Sequence, residues 1–256
     1  MEMRTLGATM VVLWACTGCG DDETGSGGGT STSSSTIASG SGSSNTGSGS
    51  GSTASSTSTS TSTSASSSSG GSSLMNFFVT SDTYPDGNFG GLAGADQRCQ
   101  DLAAAVGEGA KTWRAYLSAF DPPTDARDRI GPGPYYNAAG VMVAADDVEL
   151  HAMDGDAALF LTETGEMVNG QWSGSPPPNE HDIMTGSNPA GALDFEGTCD
   201  DWTSGNGNVK VGHSDGLGPN MNPDPPFSSW NSSHDGSCGN PGSTGGAAKI
   251  YCFVGP

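Results

Sequence analysis

The segment Gly90–Val106 most restricts what this chain can become. Leu92, Ala95, Cys99, Leu102, Ala103 and Val106 recur at helical spacing, which predicts a helix with one apolar stripe carrying a thiol. Asp96, Gln97, Arg98, Gln100 and Asp101 fall on the opposite face, and Gly107 supplies a left-handed stop. A short helix with a thiol on its buried face needs a partner. The last apolar run, Ala248–Val254, offers one, because Ile250, Cys252 and Val254 share a face at period two. If Cys99 and Cys252 are joined, the two ends of the folded region are pinned and everything between them becomes one closed unit.

Only part of the chain has the composition to fold. From Thr24 to Ser81 there is no charged residue, and Ser, Thr and Gly make up nearly all of Thr24 to Ser73. Such a segment cannot bury enough apolar surface to offset the entropy of ordering, so 20–73 reads as a disordered tether. As a Gly/Ser-rich coil it would span roughly 40 Å. Residues 74–256 are ample for one domain with its own core. All but four of the 28 acidic residues and all but one of the eight basic residues lie there, an excess of 17 negative charges. That balance argues against nucleic acid, anionic membrane surfaces and polyanionic glycans as partners, since each needs a basic patch.

Ahead of the tether, residues 1–19 read as an export signal: Arg4, a short apolar run from Leu6 to Trp14, then small residues around two cysteines. The apolar run is far too short to span a bilayer. Leu13-Trp14-Ala15-Cys16 and Cys16-Thr17-Gly18-Cys19 both resemble a bacterial lipoprotein cleavage box. Cys19, behind the smaller pair, is the favoured lipid acceptor and Cys16 the alternative. The expectation is a chain anchored by lipid in a bacterial cell envelope, extracytoplasmic, on the outer membrane or cell surface.

Within the domain, Asn76–Thr80 reads as a strand and Tyr84–Asn88 as a turn. Thr112–Ser118 reads as a strand with Trp113, Ala115 and Leu117 inward, and Pro122–Arg129 as a turn and short helix. Val141–Val143 and Ala157–Thr162 are further strand candidates. After Gly165 the chain reads as mostly loop, dense in Gly, Pro, Asn and Ser, with Cys199 and Cys238 inside it. Four domain cysteines allow three connectivities, and an exported chain makes disulfides the default. Metal binding by the cysteines is discounted because the domain has no C-x-x-C pair. Nested pairing, Cys99 with Cys252 outside and Cys199 with Cys238 inside, fits the loop-rich layout best.

Several motifs together resemble the endostatin-like branch of the C-type-lectin-like fold, found in bacterial surface lipoproteins with a domain of unknown function. They are Arg114-Ala115-Tyr116-Leu117-Ser118, Thr185-Gly186-Ser187-Asn188-Pro189, Thr198-Cys199-Asp200-Asp201-Trp202 and Cys238…Ile250-Tyr251-Cys252, with Gly90–Asp96 and Asp128-Arg129-Ile130 beside them. The resemblance covers most of Phe77 to Phe253. It implies a mixed α+β domain, the nested disulfides, and binding or adhesion rather than catalysis. Met184 stands where the family often has Trp. The histidines of the endostatin zinc site and the arginines of its heparin surface have no counterparts here, so neither ligand is carried over.

The resemblance would put calcium ligands at Asn188-Pro189-Ala190 and Trp230-Asn231-Ser232, but Ala190 and Ser232 replace oxygen-rich residues, and calcium wants six to eight oxygens. Binding is therefore expected to be independent of calcium, and no cofactor is expected. Structural calcium near Asp200-Asp201 or Asp154-Gly155-Asp156 has no motif behind it. The four histidines stand singly, without an H-E-x-x-H pair, so no metal site is expected. Gly212-His213-Ser214-Asp215-Gly216 matches the nucleophile-elbow pattern, and Asp224 and His234 follow in hydrolase order. That match defines the alternative of a secreted serine-type hydrolase, although Leu217-Gly218-Pro219-Asn220 cannot form the helix an elbow opens into. A purely structural envelope lipoprotein is the other alternative. The ligand expected is a protein or a neutral glycan. The loop residues expected to meet it are Trp202, Asn206, Asn208, His213, Asp215, Asn220, Asn222, Trp230 and Asn231. For Trp202 and Trp230 the alternative is a core plug beside the inner disulfide, and that reading is slightly favoured.

Overall fold

The computed structural model describes residues 73–174, 177–195 and 197–256. The signal expected at 1–19, with Cys19 and Cys16, and all but the last residue of the tether lie outside the described residues.

Helix α1, Gly91–Ala105, forms where the apolar stripe predicts it, and Gly107 at φ 89° turns the chain out of it. Its buried residues are Ala95, Asp96, Cys99 and Ala103, whereas Val106 is exposed. Gly94 is required by close approach: a Cβ there would stand 2.0 Å from the Phe89 carbonyl oxygen. The first strand, β1 (Phe77–Val79), and the last, β8 (Gly246–Val254), pair antiparallel with Phe78 opposite Cys252. Strand β2 (Trp113–Ala115) lies against β8 on its other edge, with Ala115 opposite Cys252. Cys99 of α1 is disulfide-bonded to Cys252 across a separation of 153 residues, so helix and strand are clamped at the centre of the sheet.

β8 is apolar on both faces, and each face closes its own cluster. Phe78, Cys99, Trp113, Trp202, Ile250 and Cys252 pack on the α1 side. Phe77, Val79, Phe160, Trp230, Tyr251 and Phe253 pack on the opposite side, as strand alternation requires. The remaining pieces are the hairpin of β3 (Tyr135–Tyr136) with β4 (Met142–Ala144) and helix α2 (Asp147–Ala152), capped by Asp146. The protein is thus a mixed α+β, loop-rich domain with two disulfides.

The region expected to be mostly loop holds three strands. β5 (Asp182–Met184) runs parallel to β8, β6 (Asn208–His213) is antiparallel to β5, and β7 (His234–Ser237) is antiparallel to β6. β5 and β7 are only three and four residues long and polar at several positions, so neither carries a period-two signal. Conversely, Ala157–Thr162 forms turns and isolated bridges rather than a strand. The second disulfide, Cys199–Cys238, closes 39 residues across this region.

Candidate functional site

Two places gather chemistry. The first is where the start of β5, the end of β6 and the start of β7 meet. The ladder sets Asp182 opposite His213 and Val211 opposite His234, and His181 precedes β5. Three histidines spread over 53 residues of sequence, His181 to His234, therefore converge on one carboxylate, contrary to the expectation of scattered single residues. The Nε2 atoms of His181, His213 and His234 lie 3.3, 3.2 and 3.5 Å from Asp182 Oδ1. None of these contacts is an aimed hydrogen bond: both Asp182 oxygens and His213 Nε2 are buried without a hydrogen-bond partner. Burial acts to raise the pKa of Asp182, but the neighbouring His213, His234 and His181 outweigh it and hold the carboxyl below its usual range. His234 moves upward, chiefly through its contact with Asp182.

The far side of each ring is anchored. His181 Nδ1 is 2.7 Å from Asp215 Oδ1, His213 Nδ1 is 3.0 Å from the Phe227 carbonyl, and His234 Nδ1 is 3.0 Å from the Asp235 carbonyl. The His181 and His213 rings stack 4.3 Å apart. Asp215 also accepts from the backbone N–H groups of Trp172 and Leu217. Burial pushes its pKa up, yet the bond from His181 and these contacts leave it ionised below the usual range.

The second place is an acidic cleft of about 380 Å³ whose lining includes Phe120, Phe195, Asp200, Asp201, Asn206 and Asn208. Phe120 and Phe195 are 55% and 73% exposed and pack edge to face, with ring centroids 6.0 Å apart. The floor is the turn Cys199–Trp202, where four successive non-glycine residues have φ between 52° and 67°. Left-handed backbone is costly for side chains with a Cβ. Three contacts offset that cost here. The Cys199–Cys238 bond ties the turn to the chain beyond β7, Asp201 accepts the N–H groups of Phe120 and Asp121, and Trp202 Nε1 donates to the Ser118 carbonyl.

The loop residues expected to meet a ligand divide sharply. Asn206, Asn208 and Asn220 are exposed and Asn222 is half-buried. Trp202, His213, Asp215, Trp230 and Asn231 are buried. Trp202 stacks on Phe89, and Trp230 sits among Tyr116, Phe160 and Tyr251 with Nε1 donating to the Leu150 carbonyl. Asn231 Nδ2 donates to Tyr116 Oη, Asn188 O and Pro189 O, which joins the two calcium-motif segments through an amide nitrogen instead of an ion. In the other acidic segments, Asp201 and Asp156 accept from backbone N–H groups.

No hydrolase triad is assembled. His234 turns its two nitrogens to Asp182 and the Asp235 carbonyl, Ser214 Oγ is buried without a hydrogen-bond partner, and Asp224 lies in an exposed loop. Sequence reasoning missed Asp182, His181 and the Phe120–Phe195 pair. The adjacent His181-Asp182 was the one available signal for the cluster. Compared with known proteins, the chain matches no family model and no curated protein. Among the described residues, no helix is long and apolar enough to cross a membrane.

Proposed function

We propose that this chain is a lipid-anchored, extracytoplasmic binding module whose domain is C-type-lectin-like and acts without catalysis. The reading is supported by the first-to-last strand pairing, the helix clamped on the last strand and the inner disulfide in the long-loop region, together with the motifs resembling the endostatin-like branch. The observation that carries it is the exposed Phe120–Phe195 pair over the acidic cleft. Exposed aromatic faces bury the C–H faces of sugars or apolar side chains at low entropic cost, while flanking carboxylates and amides take hydroxyl groups. The carboxylates of Asp200 and Asp201 disfavour anionic ligands. The ligand is accordingly a neutral glycan or a neutral to basic protein.

The test is binding of the unlipidated chain to arrays of neutral glycans, matrix proteins and heparin in calcium-free buffer. A Phe120→Ala/Phe195→Ala double variant should lose binding by about tenfold or more while keeping its thermal stability. Tight heparin binding, a strict calcium requirement, or full retention of binding by the double variant would each refute the reading.

A further inference from the structure

We propose that His181, His213, His234 and Asp182 form a four-ligand site for a divalent transition-metal ion of the zinc type, which ties together the ends of β5, β6 and β7. The partners of the three Nδ1 atoms are the Asp215 carboxylate and the Phe227 and Asp235 carbonyls, and each of these can only accept. Nδ1 therefore carries the proton in each neutral ring, and each Nε2 presents a lone pair. All three lone pairs face Asp182 Oδ1 at 3.2 to 3.5 Å. Asp182 and His213 are 2% and 1% exposed, and their facing atoms have no hydrogen-bond partner. Lone pairs crowding a carboxylate in a dry site repel one another, and unsatisfied buried polar atoms call for an explanation. A cation among them supplies it.

The spacing fits. Zinc bonds to imidazole nitrogen and carboxylate oxygen are about 2.0–2.2 Å long, so two ligands of a tetrahedral ion stand about 3.3–3.6 Å apart. The three separations from Asp182 Oδ1 fall at that edge length, and the ligand atoms of His181, Asp182 and His213 all lie within 4.8 Å of one another, with His234 standing at the rim of this trio. The Nδ1 anchors are the outer contacts that orient metal-binding imidazoles. Three nitrogens and one oxygen suit zinc better than calcium or magnesium, which take oxygen ligands. His234, with its side chain 26% exposed, is the point of entry. With His234 drawn in from the rim as fourth ligand, protein atoms alone would hold the ion, as in a structural site.

The experiment strips the full chain with a chelator and titrates it with zinc sulfate alone, read by calorimetry and thermal unfolding. One ion per chain should bind and raise Tm. His234→Gln, at the rim, should fold and weaken zinc binding by about tenfold or more. Asp182→Asn should weaken it further, and Asp224→Asn, exposed and outside the cluster, should leave it unchanged. Cobalt(II) in place of zinc should give the intense visible bands of a tetrahedral centre. Absence of stoichiometric zinc, wild-type affinity in His234→Gln, or a weak octahedral cobalt spectrum would overturn the proposal. If Asp182→Asn fails to fold, His234→Gln and cobalt decide.

Discussion

Replacing Asp96 with alanine removes one acceptor shared by three donors. Asp96 lies on the face of α1 whose residues are polar, yet it is only 8% exposed. Its Oδ1 takes the Ala115 N–H at 2.9 Å and Nη2 of Arg129, and its Oδ2 takes Nη1 of Arg114 at 2.8 Å. The Arg129 and Asp96 side chains are 13% and 11% exposed, so water screens that pair little, whereas Arg114 is 45% exposed. Breaking a buried pair by deleting one partner costs about 3–5 kcal/mol, and some residual exposure places this one near 3. The orphaned Ala115 N–H adds about 1 kcal/mol. The Arg114 pair, solvent-screened, adds less than about 0.5 kcal/mol. Asp96→Ala should therefore cost about 4 kcal/mol, or roughly 10 °C in Tm for a domain of this size. The assay is urea unfolding under oxidising conditions, with Arg129→Ala, Arg114→Ala and the Asp96/Arg129 double variant. Arg129→Ala should cost about 3 kcal/mol and Arg114→Ala less than about 1, with a coupling energy near 2 between Asp96 and Arg129. The reasoning is refuted if Asp96→Ala costs under about 1 kcal/mol, or if the two arginine variants cost the same.

The disulfides should be unequal. By loop entropy the 153-residue Cys99–Cys252 closure is worth about 5 kcal/mol and the 39-residue Cys199–Cys238 closure about 4, so the paired Ser variant of the outer bond should melt lower in calorimetry, and the reverse order would contradict this. Gly212→Ala should prevent folding, since a Cβ there would lie 1.8 Å from the Trp230 carbonyl oxygen; native circular dichroism from that variant would show that β6 and the Trp230 segment separate freely.

What could be read from the residues was set by short-range periodicity and by covalent arithmetic. The stripe of α1, the alternation of β8 and the stop at Gly107 each concern neighbours within one element, where spacing alone dictates which side chains share a face. Four cysteines in the domain limited paired cross-links to three choices. Spacing placed Asp96 on the face of α1 opposite the apolar stripe, but only the tertiary structure makes it the acceptor for two arginines and a backbone N–H from β2 and beyond. No helical wheel contains that information.

The tertiary structure alone decided where the functional chemistry sits. β5 is a strand because β8 and β6 flank it, not because Asp182-Ile183-Met184 favours one, and its register places Asp182 against His213. For Trp202 and Trp230 the sequence left recognition and core plug both open; their indole N–H groups meet buried carbonyls of Ser118 and Leu150, which makes them plugs of the two cores. Phe120 and Phe195, 75 residues apart in sequence, become one exposed pair only when the left-handed turn at Cys199–Trp202 brings their loops together. Sequence fixes which side chains are present and which neighbours share a face. Bringing distant ones to one point depends on the strand register and disulfide closure of the whole chain, which no single segment encodes.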